Sequence, residues 1–297
     1  MRYLNDSTSN QPHLKCFISM MNLVDLPEWS TGPRGDTATK LNAIADAGYD
    51  GVEFTDEESF ELAAQGLSLG ISRSVRINHP DEAKPIAARL SDTNHDCATV
   101  HVGWGMESES ESNALIESIL EASDKYDLPM YVETHRATIF QDMWRTVQFA
   151  DRYPELLFNI DLSHWYTGQE MVYGGFENKL AFIEPVLRRA GFVHGRIANP
   201  GSIQVAVDGN DPTQTHVDHF MTAWTMIFEG FLERASHGDY IVFAPELLSP
   251  AIYYARTYPD ADGRLIEESD RWEQALLLRT IAKQCFEVAK VAKTFGV

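Results

Sequence analysis

The sequence predicts a single parallel (β/α)8 barrel, the TIM-barrel class of α/β fold, on three observations. Strand-like and helix-like segments alternate in eight pairs from Leu14 onwards, a pattern typical of a parallel sheet covered by helices. No Gly/Ser-rich linker or shift in composition interrupts the alternation. A doubly wound sheet, the structural alternative, usually has a Gly-rich phosphate-binding turn near its first strand, and this chain has none. We therefore expect one barrel domain over residues 14–297, preceded by a loose arm over residues 1–13.

Each predicted strand is a short apolar run, and several of these runs end at a polar residue. The strands of a parallel barrel all point the same way, so their last residues meet at the C-terminal mouth, where such barrels carry their sites. In chain order the predicted strands cover residues 14–24 (with the loop that follows), 51–54, 67–71, 97–104, 130–133, 157–161, 192–197 and 240–246.

The predicted helices lie between these strands, and some have clear end signals. The first has Thr37 or Thr39 as its N-cap and stops at Gly48. The helix after the fourth strand is amphipathic, with one apolar stripe. In chain order the predicted helices cover residues 37–47, 57–65, 81–90, 110–126, 139–152, 178–190, 218–236 and 267–295.

The charge of the chain argues against nucleic acid as a partner. The 297 residues include 24 Lys and Arg against 44 Asp and Glu, a formal net charge of −20. A protein that binds phosphate backbones needs a basic face, and no Lys/Arg cluster is visible that would line one. No stretch of 18 apolar residues occurs, so we expect no membrane partner either. A small-molecule ligand fits this composition better.

The cysteines and the N-terminus favour a cytoplasmic protein. Cys16, Cys97 and Cys285 are far apart inside apolar runs, which indicates buried free thiols. The polar first 13 residues lack the apolar core of a secretory signal. The acidic surface is compatible with a homo-oligomer.

Four predicted strands end in a side chain that binds metals well. These side chains are Glu133, Asp161, His194 and Glu246. A carboxylate at the end of a buried strand is costly unless it is paired or binds a cation, and four such ends on neighbouring strands favour a metal site over four separate ion pairs. Three carboxylates and one imidazole suit Mn²⁺, Mg²⁺ or Co²⁺, with Zn²⁺ or Fe²⁺ as alternatives.

Other polar or aromatic residues near strand ends are weaker candidates for substrate binding. Glu53 would bind a sugar hydroxyl or pair with Lys40 or Arg73. His101 is either a ligand or a hydrogen-bonded histidine of the barrel wall. Trp104 either covers the apolar face of a sugar or packs at the barrel rim.

Five phrases of the sequence resemble the xylose isomerase-like TIM barrels. This superfamily contains sugar and sugar-phosphate isomerases and epimerases, such as the ketose 3-epimerases, and the endonuclease IV-like DNA repair enzymes. The similarity covers about residues 14–246. The phrases are AGYDGVE at 47–53, VETH at 132–135, DLSH at 161–164, HGR at 194–196 and PE at 245–246.

The resemblance implies roles for six residues. It implies that Glu133, Asp161, His194 and Glu246 bind the metal and that His164 and Arg196 contact the substrate. Arg196 follows His194 by two residues, whereas in the ketose 3-epimerases the substrate arginine lies several residues beyond the histidine.

A second departure concerns the endonuclease branch. That branch has an Asp-x-His pair, whereas Asp218 and His219 are adjacent here. This spacing argues against a trinuclear zinc site.

We interpret the chain as a metal-dependent sugar or polyol isomerase or epimerase of carbohydrate metabolism. Glu133 and Glu246 would act as base and acid around a metal-stabilised enediolate. A dehydratase or lyase would use the same enolate, an endonuclease would need a basic groove and more zinc ligands, and a non-catalytic sugar-binding barrel would not need four metal-ligating strand ends.

Overall fold

The computed structural model describes residues 1–55, 61–208 and 214–295 and forms a closed barrel of parallel strands. A short strand β1, Leu4–Asn5, precedes the barrel. The barrel strands are β2 His13–Ser19, β3 Gly51–Phe54, β4 Gly70–Ile77, β5 Cys97–Val102, β6 Met130–Glu133, β7 Phe158–Ile160, β8 Ala190–Gly195 and β9 Asp239–Pro245.

The barrel closes through the pairing of its last strand with its first. Strand β9 pairs in parallel with β8, with Phe192 opposite Val242, and also with β2, with Cys16 opposite Phe243. Every other neighbouring pair from β2 to β8 is parallel and consecutive in sequence. This topology confirms the predicted (β/α)8 barrel.

Helices surround the barrel in the order expected. The helices are α1 Thr37–Asp46, α2 Glu61–Gly66, α3 Ala83–Asp92, α4 Glu109–Lys125, α5 Met143–Arg152, α6 Leu162–Gly168, α7 Phe176–Leu187, α8 Thr215–Arg234 and α9 Arg271–Phe295. The predicted start of the second helix, at residue 57, lies outside the described residues. No helix in the described ranges is both long and apolar enough to cross a membrane.

Two apolar cores hold the barrel. The larger lies between strands and helices, and the smaller fills the inside of the barrel around Phe17, Tyr131 and Phe192. Gly191 leaves room for this inner packing, because a Cβ there would lie 2.3 Å from the ring of Tyr131. The inner core closes the N-terminal end, so polar side chains gather at the C-terminal end.

The third barrel strand differs from its prediction, which placed it at residues 67–71. Residues 67–69 instead form the turn after α2, where Leu69 N donates to Ala64 O and Ser68 has a φ of 58°. The strand runs over Gly70–Ile77 and includes Arg73 and Arg76. The prediction relied on apolar runs, and it missed most of this strand because the strand contains charged residues.

The N-terminal segment is not the loose arm that the sequence suggested. Leu4 is buried and pairs antiparallel with Tyr240 of β9. The ring of Tyr3 packs edge-on against Phe231, 5.0 Å between centroids. The mostly polar residues of this segment gave no strand signal in the sequence. The segment is ordered by its pairing with β9.

Two of the connections that follow barrel strands contain regular structure. The connection after β7 contains helix α6, which starts directly after Asp161. The loop after β9 contains a two-stranded hairpin of β10 Thr257–Pro259 and β11 Leu265–Glu267. Both segments lie on the side of the barrel where the strands end.

Candidate metal centre

The four side chains that end β6, β7, β8 and β9 meet at the C-terminal mouth of the barrel. Each of Glu133, Asp161, His194 and Glu246 offers one ligand atom, and these atoms all lie within 4.8 Å of one another. The side chains are fully buried except for Glu246, which is 8% exposed. Their arrangement follows from the parallel strands, which bring sequence-distant residues to one edge.

His194 is held from below by a carboxylate. Its Nε2 lies 2.9 Å from Oε2 of Glu53, whose Oε1 accepts a hydrogen bond of 2.7 Å from Thr99 Oγ1. Its Nδ1 faces Glu133 Oε1 at 3.3 Å and Glu246 Oε2 at 3.6 Å. A carboxylate on the far ring nitrogen is the partner that orients metal-binding histidines. Both oxygens of Glu53 therefore have partners, His194 and Thr99, and its side chain is fully buried.

Glu133 fits a cation because one of its oxygens is unsatisfied. Among the described residues, the buried Oε1 has no hydrogen-bond partner, since the approach of His194 Nδ1 at 3.3 Å lacks hydrogen-bond geometry. The side-chain oxygen of Asn159, which lies next to Glu133 and His194, is also buried and has no partner in the described ranges. Buried oxygens of this kind are costly unless a cation or water satisfies them.

Asp161 is fixed by the helix that it caps. Its Oδ1 accepts hydrogen bonds from the backbone N and the hydroxyl of Ser163, at 3.0 and 2.5 Å. Its Oδ2 faces His164 Nε2 at 3.3 Å and also accepts from Arg196. Asp161 is therefore preorganised by both the start of α6 and its charged neighbours.

Arg196 lies inside the carboxylate cluster and has no exposed surface. Its Nη2 donates to Asp161 Oδ2 and to Glu246 Oε2, the latter at 3.0 Å. The ring of Tyr254 covers its guanidinium, 4.7 Å from the centroid. The charge of Arg196 therefore acts on two of the four candidate ligands.

The pKa values of the three carboxyl groups are shifted in different directions. Burial raises the pKa of Glu133, but His194 and His101 outweigh it, so this pKa is held well below its ordinary value. Burial also raises the pKa of Asp161, but the charges of Arg196 and His164 outweigh it, so this pKa too is held below its ordinary value. Burial dominates at Glu246, where it raises the pKa to about 7 despite His194 and Arg196.

A row of histidines lines one side of the mouth. The ring centroid of His135 lies 4.2 Å from that of His101 and 3.9 Å from that of His164. His101 is partly exposed, and its Nε2 lies 3.0 Å from Glu133 Oε2. Burial, followed by the charge of His164, lowers the pKa of His135 to about 2, so His135 is neutral. The row joins the metal-ligand cluster through Glu133 and Asp161.

The mouth opens into a small cavity of about 290 Å³. His101 and Glu246 line it, together with Arg76. The guanidinium of Arg76 lies 4.0 Å above the ring of Trp104, which is half exposed. Arg76 occupies one face of Trp104, so only its other face is available to a ligand.

A larger cavity of about 700 Å³ lies at the opposite end of the barrel. It is lined by residues at the starts of strands, among them Lys15, Gly70 and Tyr240. Side chains at this end of a (β/α)8 barrel usually serve stability. The carboxylates and histidines described above are at the other end.

Several residues of the site carried no assignment from the sequence. Asn159 and His135 lie beside assigned ligands. The available signal for Asn159 was its position in strand β7, and that for His135 was its position two residues after Glu133. Arg76 was hidden by the misplaced third strand. Tyr254 comes from a long loop, and nothing in the sequence indicates that it reaches the site.

Comparison with known proteins supports the fold. No protein-family model matches the chain, and no curated protein matches it. A xylose isomerase-like TIM barrel protein from Mycobacterium smegmatis, solved in complex with magnesium, is 13% identical, with a TM-score of 0.54 over 96% of this chain and 100% of that chain. At this level of identity the likeness shows the fold alone, a TIM barrel.

A second solved structure shares this barrel. The probable 3-DHS dehydratase AsbF of Bacillus anthracis, involved in petrobactin synthesis, is 12% identical, with a TM-score of 0.53 over 78% of this chain and 92% of that chain. One xylose isomerase-like barrel was thus solved with magnesium, and the other structure is described as a dehydratase. The shared fold does not by itself choose a reaction, so function has to be argued from the site.

Proposed function

We propose that the chain is a divalent-metal-dependent enzyme that moves protons at the carbon beside a carbonyl of a sugar or sugar-like substrate, as an isomerase or epimerase. The supporting observation is the convergence of three buried carboxylates and one imidazole at the barrel mouth. A buried Glu133 oxygen in that cluster has no hydrogen-bond partner in the part of the chain that the structure describes, which favours a cation over a closed network of ion pairs.

The residues of this chain would bind the cation with a mixed oxygen and nitrogen set. Glu133, Asp161 and Glu246 would each give a carboxylate oxygen, and His194 would give Nδ1, because Nε2 faces Glu53. Such a cation, once bound, supplies a Lewis acid for the substrate carbonyl and its developing negative charge. Mn²⁺, Mg²⁺ and Co²⁺ suit this set best.

Glu246 is the carboxylate best placed to exchange a proton with substrate. It lines the mouth cavity, whereas Glu133 and Asp161 have no exposed surface. Glu133 lies within 4.8 Å of it, so a carbon about 3 Å from each oxygen can lie above the pair. Glu246 and Glu133 would then be the two proton-transfer groups that epimerisation requires.

The other charged residues would position these groups or the substrate. Arg196 holds the oxygens of Asp161 and Glu246 in place, and Glu53 holds His194. His101 is at the cavity wall and would reach a substrate oxygen. His164 is the buried member of the histidine row. Its Nδ1 has no hydrogen-bond partner within the described chain, which leaves a donor or acceptor for a ligand.

The cavity limits the substrate to a small molecule. A volume of about 290 Å³ is near the lower end of ligand pockets, which corresponds to a monosaccharide-sized compound rather than a polymer. Trp104 and Arg76 at the rim offer an aromatic face and a cation to such a ligand.

Exchange of carbon-bound hydrogen with deuterated water tests the proposal. Metal-loaded protein is incubated with a panel of ketoses and aldoses, and deuterium uptake is followed by NMR and mass spectrometry. We expect uptake into at least one sugar, with a moved carbonyl for an isomerase or an inverted centre for an epimerase. Removal of the metal with a chelator should abolish the uptake.

The same assay separates the alternatives. Loss of water with formation of a carbon–carbon double bond would replace isomerisation by dehydration, the reaction named for one structure with this fold. Metal-dependent sugar binding without any exchange would overturn the enzymatic proposal and favour a binding barrel.

A further inference from the structure

A second group of three ligand atoms lies beside the first. His101, Glu133 and His135 each offer one such atom, and these atoms all lie within 4.8 Å of one another. His101 is in β5, Glu133 ends β6, and His135 follows two residues later. Two imidazoles and one carboxylate are a donor set that divalent transition metals accept.

Glu133 divides its two oxygens between the two groups. Oε1 lies 3.3 Å from His194 Nδ1 in the first group, and Oε2 lies 3.0 Å from His101 Nε2 in the second. Because the two oxygens of a carboxylate can bind two cations, this placement is that of a bridging ligand. Two-metal sites hold their cations about 3.5–4 Å apart, a separation that a single carboxylate spans.

The tautomer of His135 leaves a lone pair free on the side of the mouth. Its Nδ1 contacts the backbone carbonyl oxygen of Arg136. A carbonyl oxygen can only accept, so Nδ1 carries the hydrogen, and Nε2 of the neutral ring keeps its lone pair. The hydroxyl of Tyr254 lies 3.5 Å from Nε2, which is a long contact. A histidine that donates its other ring N–H to a backbone carbonyl is oriented as metal ligands are.

We propose that His101, Glu133 and His135 bind a second divalent cation, which shares Glu133 with the cation of the first site. Two imidazoles select a transition metal such as Zn²⁺, Co²⁺ or Mn²⁺ over Mg²⁺. Three protein ligands leave a coordination position for water or a substrate oxygen, and His101 lines the mouth cavity. This site goes beyond the proposed function, which needs only the first cation.

Counting bound Co²⁺ tests the second site. Metal-free protein is titrated with Co²⁺, followed by calorimetry and by the visible absorption of the bound ion. We expect two equivalents for wild type, and about one for His135→Gln and for His101→Gln. His237→Gln, at an exposed histidine outside the site, is the matched control and should keep two. Thermal unfolding of each variant checks that it is folded, and the two substitutions at separate positions guard against a failure of either one.

Asp161→Asn makes the two sites distinguishable. It should lose the first cation and keep the second, whereas the combination with His135→Gln should bind neither. One equivalent in wild type, or two in both folded histidine variants, would overturn the second site and leave the first intact. Two equivalents without any hydrogen exchange would support the second site while the proposed reaction fails.

Discussion

The Nη2 atom of Arg196 lies 3.0 Å from Oε2 of Glu246, and it also contacts Oδ2 of Asp161. Both carboxylates are candidate ligands of the first cation, so the guanidinium and the cation act on the same oxygens. The charge of Arg196 stabilises the metal-free cluster and opposes metal binding.

Arg196→Gln should lower the stability of the metal-free protein and raise its affinity for metal. Without the guanidinium, Asp161 and Glu246 lose their positive partner, and a buried carboxylate without one is costly. A divalent cation then supplies the missing charge, and we expect at least about tenfold tighter Mn²⁺ binding. Thermal unfolding with and without Mn²⁺ measures both effects. Arg136→Gln is the control, and a smaller Mn²⁺-induced rise in Tm than in wild type would contradict this reasoning.

Glu246→Gln should remove proton transfer and keep the metal. The amide keeps the shape of the side chain and one oxygen for the cation, but it cannot accept a proton. General acid–base groups contribute about 10²–10⁴-fold, so the rate of hydrogen exchange should fall by that factor. Metal content is measured on the same sample. Exchange at the wild-type rate would leave Glu246 as a metal ligand only.

Glu53→Gln should weaken metal binding through His194. The carboxylate on His194 Nε2 orients the ring and makes Nδ1 a better donor, and loss of such partners typically costs about 10-fold to 100-fold in metal affinity. Calorimetric titration of Mn²⁺ gives the affinity directly. Thr99→Val, which removes the hydroxyl that donates to the other Glu53 oxygen, should have a smaller effect. Equal affinities for Glu53→Gln and wild type would show that Glu53 does not support the ligand.

Arg271→Met should destabilise the fold without changing the site. Arg271 is 1% exposed and donates to Glu267 at 2.7 Å. It also joins α9 to the segment after β2 by donating to four backbone carbonyls, those of Met21, Asn22, Val24 and Asp25. Removing one partner of a buried pair costs about 3–5 kcal/mol. Denaturant unfolding measures the loss, and Arg264→Ala, at an exposed position, should change it little. A loss below about 1 kcal/mol would mean that the pair adds little to stability.

Abasic-site DNA should be neither bound specifically nor cut. The net charge of −20 repels phosphate backbones, and binding to DNA otherwise requires a basic surface. Purified protein loaded with Mn²⁺ or Zn²⁺ is incubated with a labelled duplex that carries one abasic site, and products are separated on a gel. Incision above the background of the Asp161→Asn variant would favour the endonuclease alternative.

The element order and the metal cluster were accessible from the sequence because each rests on a local pattern. Apolar runs such as residues 130–133 predict strands, and a carboxylate at the end of such a run lies at the C-terminal mouth of a parallel barrel. The structure has β6 at Met130–Glu133, and it brings Glu133 within 4.8 Å of Asp161, His194 and Glu246. Elements built from mixed sequence were missed, as for the part of β4 that contains Arg73 and Arg76.

What the sequence by itself determined was the barrel, its strand order and which side chains stand at the strand ends, because these depend on hydrophobic pattern and chain direction. Only the tertiary structure decided what each of those side chains faces. Glu53 lies beneath His194, Arg196 lies between Asp161 and Glu246, and Tyr254 arrives from a distant loop. These contacts join strands and loops that are far apart in sequence, so they depend on strand stagger and side-chain packing, which no local pattern encodes.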